Sequence, residues 1–232
     1  MTMNELLQHS SYFGVFLSLM TYFAGMYLKK KLKLAVFNPL LVAVVLTIGV
    51  LLLCDIDYDT YNQSASYLSD LLTPATVCLA IPLYAHFKVL KKHYRAILIG
   101  IATGVLASLL SVLALSWLFG FDHAMYVTML PKSITTAIGM SVSVELGGYA
   151  AMTVAAIVLT GVLGNMIAEG VCRLFGIEHP IAKGVGIGTA SHAIGTSRAM
   201  MMGEVEGAMS SLSIVVAGVM TVLGAGIFAN FL

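Results

Sequence analysis

The chain is 232 residues long, 59% hydrophobic and only 10% charged, with a mean hydropathy of +0.95 and a formal net charge of +1. Soluble globular chains carry about 25% charged residues, so this one lacks the charge to cover a water-facing surface and reads as an all-α integral membrane protein. A charge so near zero excludes a nucleic-acid partner, which needs a clustered basic field.

The first apolar run covers 11–28. It is a poor secretory signal, because the residues before it hold Glu5 and no Lys or Arg. The cluster Lys29, Lys30, Lys31, Lys33 follows it instead, which marks a retained span with the N-terminus outside the cytoplasm. A second run, 35–54, is long enough to cross a hydrocarbon core of about 30 Å, and the acidic loop Asp55, Asp57, Asp59 follows. Segment 67–87, YLSDLLTPATVCLAIPLYAHF, has the length of a crossing but holds Pro74 and Pro82. Each proline removes a helical hydrogen bond and clashes with the preceding turn. Irregular backbone at membrane depth survives only inside protein or along a water-filled cavity, so this segment belongs within the bundle.

The basic stretch KVLKKHYR (88–95) reads as a cytoplasmic loop. Run 96–119 then crosses outward, and 124–147, which contains MLPKSITTAIGM, must enter and leave on one side for the charges to balance. Run 149–171 returns to the cytoplasm, where Arg173 and Lys183 lie. Segment 184–206 is interrupted by glycine, and a last run, 209–232, ends the chain. The layout predicts a single membrane domain (1–232) of about seven to eight transmembrane segments in two inverted repeats. Repeat 1 covers about 35–119 and repeat 2 about 149–232, each containing a broken or re-entrant helix, with 120–148 as a connecting or re-entrant segment. VAVVLTIGV (42–50) and VAAIVLTGV (154–162) fall in matching helices. Paired interrupted segments at corresponding positions of two halves point to a transporter's substrate site.

The polar residues within these segments are the candidate site. Burying an arginine at a helix centre costs about 2.5–3.5 kcal/mol on insertion scales, so Arg198 needs an acidic partner, carbonyls, water or an anionic ligand. The packing alternatives are snorkelling to a surface or pairing with Glu204 or Glu206. His192 titrates near neutrality, which makes it the candidate for proton coupling, against the alternative of a buried, hydrogen-bonded histidine. Thr189, Ser191 and Thr196 bring hydroxyls and little bulk. A half-helix beginning near Gly188-Thr189-Ala190-Ser191 would offer backbone N–H groups and a positive dipole end to a carboxylate. Thr73, Pro74 and Thr76 suit the same task in the other broken segment, since proline is favoured at a helix's first position. Lys132, Ser133, Thr135 and Thr136 repeat the chemistry, with a lysine that either attracts anions or snorkels.

Other patterns read as structure. The glycines of GVGIG (184–188) lack the βαβ context of a nucleotide loop. Cys54, Cys78 and Cys172 are isolated, have no metal spacing and read as small apolar fillers. Met200, Met201 and Met202 read as packing, and Glu169 as a group reaching water. No metal, cofactor or enzymatic constellation is expected.

The stretches NPLL (38–41), LLTPATVCLAIPLY (71–84), PKSITT (131–136), GTASHAIGTSRA (188–199) and EGAMSSL (206–212) resemble the ordered motifs of the LrgB/CidB family. Ala137 stands where members commonly carry proline. The resemblance implies two functional pictures. One is an antiholin-like protein acting with a small LrgA-type membrane partner on murein hydrolase export and cell lysis. The other is a carrier, as in a plastid glycolate/glycerate transporter and in bacterial relatives linked to pyruvate. Paired broken helices and a buried arginine, Arg198, serve only the second. The expectation is therefore a secondary transporter of small monocarboxylates in the bacterial inner membrane, surrounded by lipid and associating with itself or an LrgA-type partner. Discontinuous segments 67–87 and 184–206 are expected to cross near the midplane.

Overall fold

The computed structural model describes residues 7, 10–32 and 37–232, apart from the side chains of Leu72, Thr73 and Thr76. All regular structure among these residues is helical. The chain forms two compact units, 1–78 and 79–232, with the boundary inside the proline-interrupted segment.

The first unit holds α1 (Phe13–Leu32), α2 (Pro39–Leu53), α3 (Tyr58–Asp70) and α4 (Leu72–Cys78). Small residues on α1 let its neighbours approach. Gly14 N donates to Ser64 Oγ of α3 (2.7 Å), Ser18 Oγ meets Tyr61 Oη (2.7 Å), and Thr21 Oγ1 meets Thr47 Oγ1 of α2 (3.0 Å). The second apolar run is shorter as a helix than as a sequence. Asn38 caps α2 by accepting from Leu40 N (2.9 Å), with Pro39 at the first helical position. The resulting 15 residues extend about 22 Å, against the twenty residues of the predicted span. Pro74 and Pro82 each occupy the third position of a short helix, α4 and α5 (Ala80–Ala85). N–H groups there have no intrahelical acceptor anyway, so each proline ends the preceding helix without orphaning a bond.

The second unit continues with α6 (Phe87–Phe119), α7 (His123–Met129), α8 (Thr136–Glu145), α9 (Ala150–Leu174), α10 (Pro180–Met202) and α11 (Glu204–Phe228), closed by a 3₁₀ turn at Ala229–Phe231. Residues 88–95, expected as a loop, are the first turns of α6, because lysine and arginine are good helix formers. Among the described residues three helices are long and apolar enough to cross a membrane: Phe87–Phe119, Ala150–Leu174 and Glu204–Phe231. Many of their large apolar side chains, such as Leu118, Leu159 and Leu223, face outward, as lipid contact requires. The chain is thus an all-helical membrane protein.

Close contacts give the directions of the helices. His86 Nε2 reaches Glu204 Oε2 (3.6 Å), so α6 and α11 start at the same end. Leu109 packs against Gly224, and Tyr126 Oη donates to Phe228 O (2.9 Å), so both helices finish at the opposite end. There α7 and α8 form an antiparallel pair. Thr128 Oγ1 accepts from Tyr149 N (2.8 Å), while Thr153 Oγ1 donates to Ser143 Oγ (2.7 Å). At 7 and 10 residues, about 10 and 15 Å, neither helix crosses a membrane. They form a short helical hairpin, and α9 then runs back to the first end.

The most consequential departure from expectation is α10. Segment 184–206 does not cross; it reverses. Going along the first arm, Gly184 packs on Glu206 and Gly188 on Ser210, so this arm runs parallel to α11. On the second arm Thr196 meets Ser210 and Met200 meets Gly207, in the opposite order. Ile187, Ala199 and Met202 share one apolar cluster with Ala168. A straight helix would hold Ile187 and Ala199 about 18 Å apart. The reversal brings α10 back to the end from which it entered, where α11 begins. Arg173 and Lys183 lie at this same end, toward which Lys88, Lys91, Lys92 and Arg95 also point along the sequence of α6.

Candidate functional site

The turn in α10 is made by two residues. Ser191 (φ −135°, ψ 16°) and His192 (φ 40°, ψ −140°) leave the helical region, and His192 adopts a positive φ that side-chain-bearing residues rarely take. The surroundings hold it there. His192 Nε2 lies 3.0 Å from the Ile157 carbonyl of α9, which can only accept, so Nε2 carries the proton. The ring edge at Cε1 and Nε2 packs against Gly161, and Ser191 packs on Gly164; a Cβ on either glycine would overlap the turn. Glycine on α9 is therefore a requirement of the reversal in α10.

The hairpin α7–α8 supplies a second tip from the opposite side. Pro131 and Ile134 anchor it, both fully buried. They leave Lys132 and Ser133 at the apex. Lys132 Nζ donates to Ser133 Oγ (3.1 Å) and to Ser108 Oγ of α6 (3.3 Å). Among the described residues no carboxylate forms an ion pair with Lys132.

The two tips face one cleft of about 530 Å³. Lys132 and Ser133 line one side, Thr189, Ala190 and Ser191 the other, and α6 and α9 form walls at Gly100, Gly104, Ser108 and Thr160. Ser108 stands about 16 Å from the end of α6, so the cleft sits near the middle of the transmembrane helices. Thr189 is 6% exposed, and among buried side-chain polar atoms of the described residues its Oγ1 is singled out by having no hydrogen-bond partner. A buried hydroxyl without a partner costs about 1–3 kcal/mol. The cleft thus gathers a lysine ammonium, several serine and threonine hydroxyls and the orphaned Thr189, a set whose chemistry is complementary to a small anion.

The other predicted residues have separate places. Arg198 does not line the cleft; it pairs with Glu169 Oε1 of α9 at 2.7 Å, and Arg173 approaches the same carboxylate at 3.6 Å. Glu169 is therefore a partner of the membrane arginine, not a group that simply reaches water, and neither Glu204 nor Glu206 takes that role. Thr196 donates to His192 O (2.9 Å) and accepts from Ser210 Oγ (2.7 Å), bracing the turn from behind. Thr135 and Thr136 begin α8, half-buried and off the cleft. Pro74 is exposed in α4, and the Thr73 and Thr76 side chains lie outside the described residues. Cys172 is buried as expected of a filler, but Cys54 and Cys78 are exposed. Sequence reasoning missed Ser108. Its signal was the small-residue stripe Gly100, Gly104, Ser108 at intervals of four, which marks one face of a helix.

The model of the LrgB-like family matches residues 18–231. The chain is 38% identical over 222 residues to "Antiholin-like protein LrgB" of Bacillus cereus (strain B4264), covering 95% of this chain and 96% of that protein. A relative with the same name in Bacillus anthracis (strain CDC 684 / NRRL 3495) gives the same figures. "Uncharacterized protein YwbG" of Bacillus subtilis (strain 168) is 35% identical over 219 residues, 94% of this chain and 97% of that protein. No solved structure matches.

Proposed function

The chain belongs to the LrgB-like family, and from that premise we propose that it carries a small monocarboxylate of the glycolate, glycerate, lactate or pyruvate type across the membrane. The observation that carries this reading is Lys132, an ammonium at mid-depth with hydroxyl partners and, among the described residues, no carboxylate, facing the unpartnered Thr189 across the cleft. The carboxylate binds Lys132, and Thr189, Ser191 and Ser133 hydrogen-bond its oxygens. The second arm of α10 starts beside the cleft and adds the favourable end of its dipole. No covalent step is involved.

In this reading the basic end faces the cytoplasm of a bacterial inner membrane and the N-terminus lies outside, a reading supported by Lys29, Lys30 and Lys31 at the end of α1. The inverted halves 35–119 and 149–232 belong to the same proposal, as do self-association and an LrgA-type partner. Access alternates by movement of the two hairpins against the crossing helices, with His192 at the hinge of one as the candidate proton site. Uptake of labelled glycolate, glycerate and pyruvate into liposomes, with and without a proton gradient, tests the reading. Saturable uptake lost in Lys132→Met supports it; its absence from folded protein, alone and with an LrgA-type subunit, rejects it.

The names of the relatives favour a second reading, an antiholin-like regulator of murein hydrolase export and lysis. It predicts a lysis phenotype on deletion that Lys132→Met and Thr189→Val still complement, whereas the carrier reading predicts that both variants fail.

A further inference from the structure

The mid-depth cleft is not closed toward the basic end. Gly100 of α6 and Gly186 of α10, which border it, also line a second groove of about 430 Å³. That groove follows α6 and the first arm of α10 past Ala96 and Ala182 to a mouth formed by His93 and His179. Small residues on neighbouring membrane helices ordinarily bring the backbones together. Gly184 and Gly188 do this against α11, where a Cβ on either would overlap backbone atoms of Glu206 or Ser210. Gly186, on the other side of the same arm, meets nothing within 4 Å of where its Cβ would be. The space beside it is open, and at its inner end stand two features that call for a ligand: the unpartnered hydroxyl of Thr189, 6% exposed, and Lys132 without a carboxylate.

Resting on the carrier reading, we infer that the groove between α6 and the first arm of α10 is the route by which a small anion passes between the basic end and the mid-depth cleft, with Gly186 keeping it open. The imidazoles of His93 and His179 offer donors at the mouth, and Lys92 and Arg95, beside His93 in sequence, raise the local concentration of anions. Hydroxyls appear only at the inner end, so the acid is held at the cleft and slides along the apolar, small-residue walls. A partner helix laid in the groove is the competing occupant, but it would seal Lys132 away from any counter-ion.

The test uses the full-length protein in liposomes. With Cys54, Cys78 and Cys172 replaced by alanine, Gly186→Cys is exposed to a membrane-impermeant anionic thiol reagent from either side. Labelling is expected from the basic side and is slowed by saturating substrate acid. In parallel, Gly186→Leu puts a bulky side chain into the groove from a position whose Cβ meets nothing within 4 Å, and uptake is expected to fall by about tenfold or more. Gly226→Leu, equally free of contacts but on the far part of α11, is expected to stay within about twofold of the parent. Absence of labelling from the basic side, or parental uptake by Gly186→Leu, overturns the route. Loss of association with an LrgA-type subunit in Gly186→Leu, with uptake retained, overturns it in favour of the helix. If the parent itself moves no acid, the carrier reading fails, and labelling alone decides the route.

Discussion

Thr189 and Thr196 lie seven residues apart on the two arms of α10, both buried, and the same substitution in each is expected to act with opposite sign. Thr196→Val removes a hydroxyl that donates to His192 O at 2.9 Å and accepts from Ser210 Oγ at 2.7 Å. Ser210 is fully buried, so its hydroxyl loses its partner, and the cost is about 1–3 kcal/mol. Thr189→Val removes a hydroxyl that has no hydrogen-bond partner among the described residues. Valine has nearly the same shape, so relief of the unmet hydrogen bond stabilises the ligand-free protein by about 1 kcal/mol. Binding pays the opposite way: a hydrogen bond to a charged ligand contributes about 1.5–3 kcal/mol, so affinity for the acid falls roughly 10- to 150-fold. Thermal unfolding in detergent without ligand measures the first effect, and equilibrium binding of labelled acid the second. A Thr189→Val protein that melts well below the parent and binds the acid equally well would refute the reasoning, because the hydroxyl would then have an internal partner and no external one.

Lys132→Met is expected to leave the fold intact, since no ion pair is broken, and to abolish stabilisation by added acid in the same melting assay. The Arg198–Glu169 pair is partly open to solvent, at 22% and 36% side-chain exposure. A double-mutant cycle with Arg198→Met and Glu169→Gln should therefore give a coupling of only about 1 kcal/mol, while binding of the acid is unchanged. Gly188→Ala drives a methyl group into the Ser210 backbone and is expected to cost about 1–3 kcal/mol in detergent unfolding.

Much of the architecture was legible because the bilayer restricts the choices. Apolar runs at 96–119, 149–171 and 209–232 all lie in helices, α6, α9 and α11, although α6 takes in the basic stretch before its run and α11 starts at Glu204, since only a helix satisfies its own backbone in hydrocarbon. The interruptions were legible too. Pro74 and Pro82 divide helices through a steric rule that acts within four residues. Asn38-Pro39 shows how local chemistry trims a span, as the cap starts α2 later than hydropathy suggests. The chemical content of the site was partly legible: Lys132, Ser133, Thr189 and Ser191 stood out as polar groups in apolar flanks, and all four line the cleft.

Composition and hydropathy alone determined that the chain is helical, that it enters a membrane, and that its polar groups cluster at broken segments. Tertiary structure decided what those breaks do. Whether α10 bends slightly or turns back depends on the dihedral angles of Ser191 and His192. Those are set by the Ile157 carbonyl and by the room left at Gly161 and Gly164, about thirty residues earlier in the chain. The same reversal decides the fate of the two cations. It carries Arg198 back to Glu169 near the basic end, while the opposing hairpin delivers Lys132 to the cleft without a counter-charge. Hydropathy and helix propensity act over a few neighbouring residues, whereas which cation lines the cleft is selected by which distant helices pack together.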